Sequence, residues 1–166
     1  MFGILKKNFC EIDNNVLKSQ LTQKAYGFKE NNVLKLDLFE TKYLYDKKKI
    51  KLKENNKIVT KKRLEEICNK INKFSEKYIV FKDFRDKGKI IKDGSKFGFD
   101  FRVYENKNYK IHEHTKYVVD VRRTHKDSFS NIIKSERLAN NIKAKYILAI
   151  VDQENKITKI KIERII

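Results

Sequence analysis

The most constraining feature of this chain is the order of elements in its last third. The strand pattern KYVVDV at 116–121 is followed by helical spacing through Ile132, Ala139 and Ile142. Next come YILAIV at 146–151, with no polar member, and ITKIKI at 157–162, which alternates. An apolar run of this length reads as a buried strand, and an alternating one as a strand with one wet face. Just upstream, Gly98 introduces FDFRVY, with Phe99, Phe101 and Val103 on one phase and Asp100, Arg102 and Tyr104 on the other, so the Tyr104 hydroxyl is directed to the polar side. Strand, helix, buried strand and final strand make an α/β unit of about 90 residues, large enough for a domain.

The preceding residues read as a smaller mixed α/β domain. The spacing predicts strand-like structure over 2–12, a helical or irregular stretch over 16–26, a turn at Gly27, a partly helical pattern over 35–45 and a hairpin in KIKLKENNKIV. From Thr60, a plausible N-cap, the residues Leu64, Ile67, Cys68, Ile71 and Phe74 recur at steps of three and four and predict an amphipathic helix. Beyond residue 77, Tyr78 to Lys87 continues as a helix and Gly88 stops it. The expected domains are 1–77 and 78–166, within an α/β (α+β overall) chain whose second domain has a central mixed sheet.

Charge narrows the function. Forty Lys and Arg against 22 Asp and Glu give +18, while 40% apolar residues are too many for a disordered basic tail. The excess is even: 19 basic and 10 acidic residues over 1–77, 21 and 12 over 78–166. A folded polycation favours a polyanionic partner, nucleic acid first, because each neutralised phosphate releases counterions. Solvated lysines that only keep the protein soluble would give the same sum. No stretch approaches the roughly 20 apolar residues of a membrane span, so no membrane partner and a cytoplasmic location are expected. Cys10 and Cys68 form no CxxC pair, and His112 with His114 lack a third ligand, so neither a metal nor another cofactor is expected.

The segment YIVFKDFRDKGKIIKDGSKFGFDFRVY at 78–104, a His at 114, and SERLANNIKAKYILAIVD at 135–152 resemble the archaeal tRNA-splicing endonuclease family. The resemblance extends upstream through Ala25-Tyr26-Gly27 and VLKLDLFETKYLY. It implies a subunit that cuts precursor tRNA at a bulge-helix-bulge without a metal ion, leaving a 2′,3′-cyclic phosphate and a 5′-hydroxyl. The family's Tyr falls on Tyr104 and its His on His114. Such a reaction needs a base for the ribose 2′-OH, an acid for the leaving 5′-oxygen and a cation beside the developing charge. Tyr104 would be the base and His114 the acid. The family's Lys falls on Ala144, between Lys143 and Lys145, and Lys145 is the residue expected to replace it.

The resemblance also carries Arg137 onto an arginine that stacks on a flipped-out base, with Lys159 or Arg164 as its partner. Asp152 and Glu154, in the loop DQENK, fall on an acidic loop that contacts another subunit. A homo-oligomer, or a heteromer with a related subunit, is therefore expected, with a non-catalytic RNA-positioning subunit as the alternative. A metal-dependent nuclease using Asp100 and Asp120 fits less well, because Asp120-Val121-Arg122 lacks the acidic-x-Lys continuation.

Overall fold

The computed structural model describes residues 2–105, 115–123 and 128–165. The chain divides into two units, Met1–Phe74 and Ser75–Ile166. Residue 77, the expected boundary, lies in the first turn of the helix Phe74–Asp86.

In the first unit, β1 (Phe2–Leu5) and β2 (Phe9–Ile12) form a hairpin, followed by α1 (Asn15–Gln23), β3 (Phe28–Glu30), β4 (Val33–Asp37), α2 (Leu38–Asp46), β5 (Lys51–Glu54), β6 (Lys57–Ile58) and α3 (Lys61–Cys68). The strands form one sheet in the order β3-β4-β2-β1-β5-β6, with β1 and β5 parallel and the other pairs antiparallel. Alternate residues Leu5, Cys10, Ile12, Leu34, Leu36 and Leu52 are buried, and α2 packs on β2, β4 and α3. The other phase exposes Phe2, Ile4, Phe28 and Ile58.

Two expectations change here. The partly helical stretch over 35–45 begins as strand: Leu34 and Leu36 alternate with Lys35 and Asp37, and Asp37 then caps α2 by accepting from the Glu40 amide at 2.7 Å. The long helix from Thr60 is two helices. Thr60 does cap α3, accepting from the Arg63 amide at 3.2 Å, but α3 ends at Cys68 and Lys73 adopts a left-handed φ of 55°. Apolar spacing carried on through Ile71 and Phe74 because it records which side chains are buried, not the sign of φ between them. Gly27 is a turn as expected: its φ is 65°, and a Cβ there would lie 2.6 Å from the Lys35 carbonyl oxygen.

The second unit runs α4 (Phe74–Asp86), β7 (Ile90–Asp93), β8 (Phe101–Tyr104), β9 (Tyr117–Arg123), α5 (Phe129–Asn141), β10 (Lys145–Val151) and β11 (Ile157–Ile162). Its sheet order is β11-β10-β9-β8-β7; β9 and β10, joined through α5, are parallel and the rest antiparallel. Register defines two faces. Val103, Tyr117 and Lys145 lie abreast on one; Arg102, Val118 and Tyr146 lie abreast on the other. The first is the face of α4, where Phe81 meets Phe101 at a ring separation of 6.0 Å. The second is the face of α5, where Ala139, Val118, Tyr146 and Leu148 share a core with Phe99 and Ala144.

Candidate active site

Tyr104 ends β8 on the α5 face, in the phase with Arg102 that its alternation predicts. Its ring is nevertheless only 2% exposed. The Arg102 guanidinium lies 5.9 Å from the ring centroid, and the Thr115 hydroxyl donates to the phenol oxygen at 3.1 Å. One residue further along each segment, the Lys116 ammonium donates to the Glu105 carboxylate. Lys116 holds the Glu105 carboxyl below its usual range, and Glu105 raises the Lys116 ammonium in return. These bonds join Tyr104 and Glu105 to Thr115 and Lys116. His114 and His112 lie outside the described residues.

Ala144, where the resemblance puts the family's lysine, sits just past the end of α5. Lys143 has φ 55° and its amide donates to the Asn140 carbonyl at 2.9 Å, while the Ala144 amide donates to the Ala139 carbonyl at 2.9 Å. This pair of bonds is a Schellman cap, whose residue after the left-handed one packs back on the last helical turn. Ala144 does so, buried against Ala139. Lys145 is exposed, opens β10, and its amide donates to the Lys116 carbonyl at 2.9 Å. It lies abreast of Tyr117 by register, and it lines one cleft with Glu136 and Asn140 of α5, Tyr146 and Arg164.

Arg137 is exposed on α5. Its neighbour Glu136 is buried, accepts from the Asn140 amide group and meets the Arg164 guanidinium at 2.9 Å, which brings Arg164 to the same helix. Lys159 is differently engaged. Its ammonium bonds the Asp83 carboxylate and lies 4.4 Å from the centre of the Phe84 ring, both on α4. Burial pushes the Asp83 carboxyl up, but hydrogen bonds from Lys159 and Lys87 outweigh it and leave it below its usual range. Asp152 shapes the β10–β11 turn by accepting from the Glu154 and Lys156 amides at 2.9 and 2.8 Å, and Glu154 is exposed.

The acidic pair is occupied by protein groups. Asp100 accepts from the Val121 amide at 2.7 Å and pairs with Lys77 at 2.8 Å. Asp120 is buried and accepts from the Tyr146 and Ser135 hydroxyls at 3.0 and 3.1 Å. Burial pushes the Asp120 carboxyl up, against the pull of Arg122. Burial, then Asp120 itself, raises the Tyr146 phenol. Among the described residues no three His, Cys, Asp or Glu side chains are grouped to hold a metal, and no helix is long and apolar enough to cross a membrane. Sequence reasoning passed over Thr115; its one signal was a hydroxyl placed directly after His114.

Comparison with known proteins accounts for both units. Residues 74–159 match the catalytic C-terminal domain of tRNA intron endonuclease, and residues 1–65 match its N-terminal domain. The tRNA-splicing endonuclease of Thermococcus kodakarensis is 33% identical over 156 residues, covering 91% of this chain and 89% of that protein. That of Methanococcus vannielii is 35% identical over 150 residues, covering 84% and 80%. With both domains matched in order and such relatives aligned along most of its length, the chain belongs to the tRNA intron endonuclease family.

Proposed function

We propose that this chain is a subunit of a cytoplasmic tRNA-splicing endonuclease that cuts precursor tRNA at bulge-helix-bulge intron boundaries by metal-independent transesterification. The observation that carries this reading is the phenol of Tyr104, bonded to Thr115, the residue next to His114. Tyr104 takes the ribose 2′-OH proton. The freed oxygen attacks the adjacent phosphorus, the bond to the 5′-oxygen breaks, and His114 gives that oxygen its proton. The products are a 2′,3′-cyclic phosphate and a 5′-hydroxyl, and exchange with water restores the starting protonation of both side chains. Lys145 is the cation beside the phosphorane, its long stem turning round the strand end.

Arg137 stacks on a bulge base. Arg164, held beside the same helix by Glu136, suits the opposite side of that base better than Lys159, whose ammonium is committed to Asp83. Asp152 and Glu154 contact another subunit of a homo-oligomer or heteromer, a small acidic loop being attracted to a chain of net charge +18.

A second reading, a non-catalytic RNA-positioning subunit of a heteromeric enzyme, is favoured by one observation: Ala144 is buried at the position the resemblance gives to the family's lysine. One experiment separates the two. Tyr104→Phe, His114→Ala and Lys145→Ala are made singly in the full assembly and cleavage of a bulge-helix-bulge RNA is timed. Losses of 100-fold or more for the first two support the first reading, and a further loss for the third assigns the lysine. Unimpaired cutting by all three establishes the second.

A further inference from the structure

We infer that Thr115 is a positioning residue for the cleavage reaction, acting through the oxygen of Tyr104. The inference rests on the reading of Tyr104 as the base. A general base must present one lone pair to the incoming proton along a fixed direction, within about 2.6–3.2 Å. A phenol oxygen at the end of a strand can turn only with its ring, and the ring of Tyr104 is already fixed by burial beside Arg102. What remains to be set is which side of the oxygen receives a hydrogen bond from the protein. The Thr115 hydroxyl donates to that oxygen at 3.1 Å and so holds it in one orientation.

Three features suit Thr115 to this task. It is half-buried, so solvent competes less for its hydroxyl than at an open site. Its branched Cβ restricts χ1, so little side-chain freedom is lost in holding the bond. It is covalently next to His114, the proposed acid, and consecutive Cα atoms are about 3.8 Å apart. The adjacent Lys116–Glu105 pair and the Lys145 amide bond to the Lys116 carbonyl fasten that stretch to both neighbouring strands. Thr115 is thus the point at which this stretch touches the phenol.

The test is a double-mutant cycle in the assembled enzyme, read by single-turnover cleavage of a bulge-helix-bulge RNA. Thr115→Val keeps the shape and removes the donor. The expected result is a single-turnover rate constant at saturating enzyme about fivefold to tenfold lower, the size of one neutral hydrogen bond, with the half-saturating enzyme concentration unchanged. Thr115→Ser restores the rate to within about twofold of the unaltered enzyme, since the donor returns. In a Tyr104→Phe background, Thr115→Val has less than about a twofold further effect, because the oxygen it serves is gone. Equal losses from Thr115→Val with and without the phenol hydroxyl, or no rescue by Thr115→Ser, overturn the inference by showing a general structural role. A fully active Thr115→Val enzyme overturns it as well. Full activity of Tyr104→Phe, or no cleavage by the unaltered assembly, is a different failure: it removes the catalytic reading beneath, and the inference with it.

Discussion

The two sheets of this chain are built on opposite plans. In the first unit one face carries the core and the other exposes Phe2, Ile4, Phe28 and Ile58 among charged neighbours. In the second unit β9 buries Val118 against the α5 side and Val119 on the other, so successive side chains enter different cores. A displacement by one residue in the first sheet exchanges core for solvent; in the second it exchanges one protein environment for another. Val118 and Val119 show the second case: one step along the chain separates a side chain packed on α5 from one buried on the opposite face.

This contrast can be broken by mutation, beginning where the effect is greatest. Tyr104→Phe removes the proposed base while keeping the buried ring, and cleavage is expected to fall 100-fold or more with no loss of folding, as timed cleavage and a thermal melt will show. Next come the cores. Val118→Ala and Val119→Ala should each cost about 2 kcal/mol in denaturant unfolding, because both faces of β9 are packed. In the first unit Ile12→Ala should cost about 2–5 kcal/mol and Ile58→Ala less than about 0.5 kcal/mol. A substantial cost for Ile58→Ala would show that the outer face is covered after all.

Smaller effects probe the polar ties. Lys159→Met should lower stability by about 1 kcal/mol at neutral pH, since it frees the partly buried Asp83 from a partner. Lys159 and Lys87 lower the folded-state value of that carboxyl, so its contribution is complete above the unfolded value near 3.9 and fades as pH falls through the folded one. The difference between Lys159→Met and the unaltered protein should therefore close in acid, as a series of melts against pH would reveal. The smallest effect is chemical. Burial pushes the Cys10 and Cys68 thiols up to about 12, so a thiol reagent at pH 8 should leave both unmodified until the chain unfolds.

Much of the architecture was legible in the sequence because local pattern and tertiary environment agree there. YILAIV and ITKIKI became β10 and β11, Gly27 and Gly88 became left-handed turns, and Thr60 became a cap. The pattern failed where a periodicity crossed a change of backbone. The strand β4 was hidden in a helical reading because Asp37 serves at once as strand end and helix cap. The break at Lys73 was hidden because burial resumed on the same spacing.

By itself the sequence determined the order of strands and helix over the last third of the chain, the basic excess and the residues that carry the family resemblance, since these depend on composition and spacing along one dimension. Tertiary structure decided which groups share an environment. It gave the Tyr104 oxygen to the Thr115 hydroxyl, tied Lys159 to Asp83 and Arg164 to Glu136, and put Ala144 in the core while leaving Lys145 exposed. The physical reason is that hydrogen bonds and charge pairs act over a few ångströms in space. Register and helix capping, set by packing across the whole unit, determine which distant side chains come within that range.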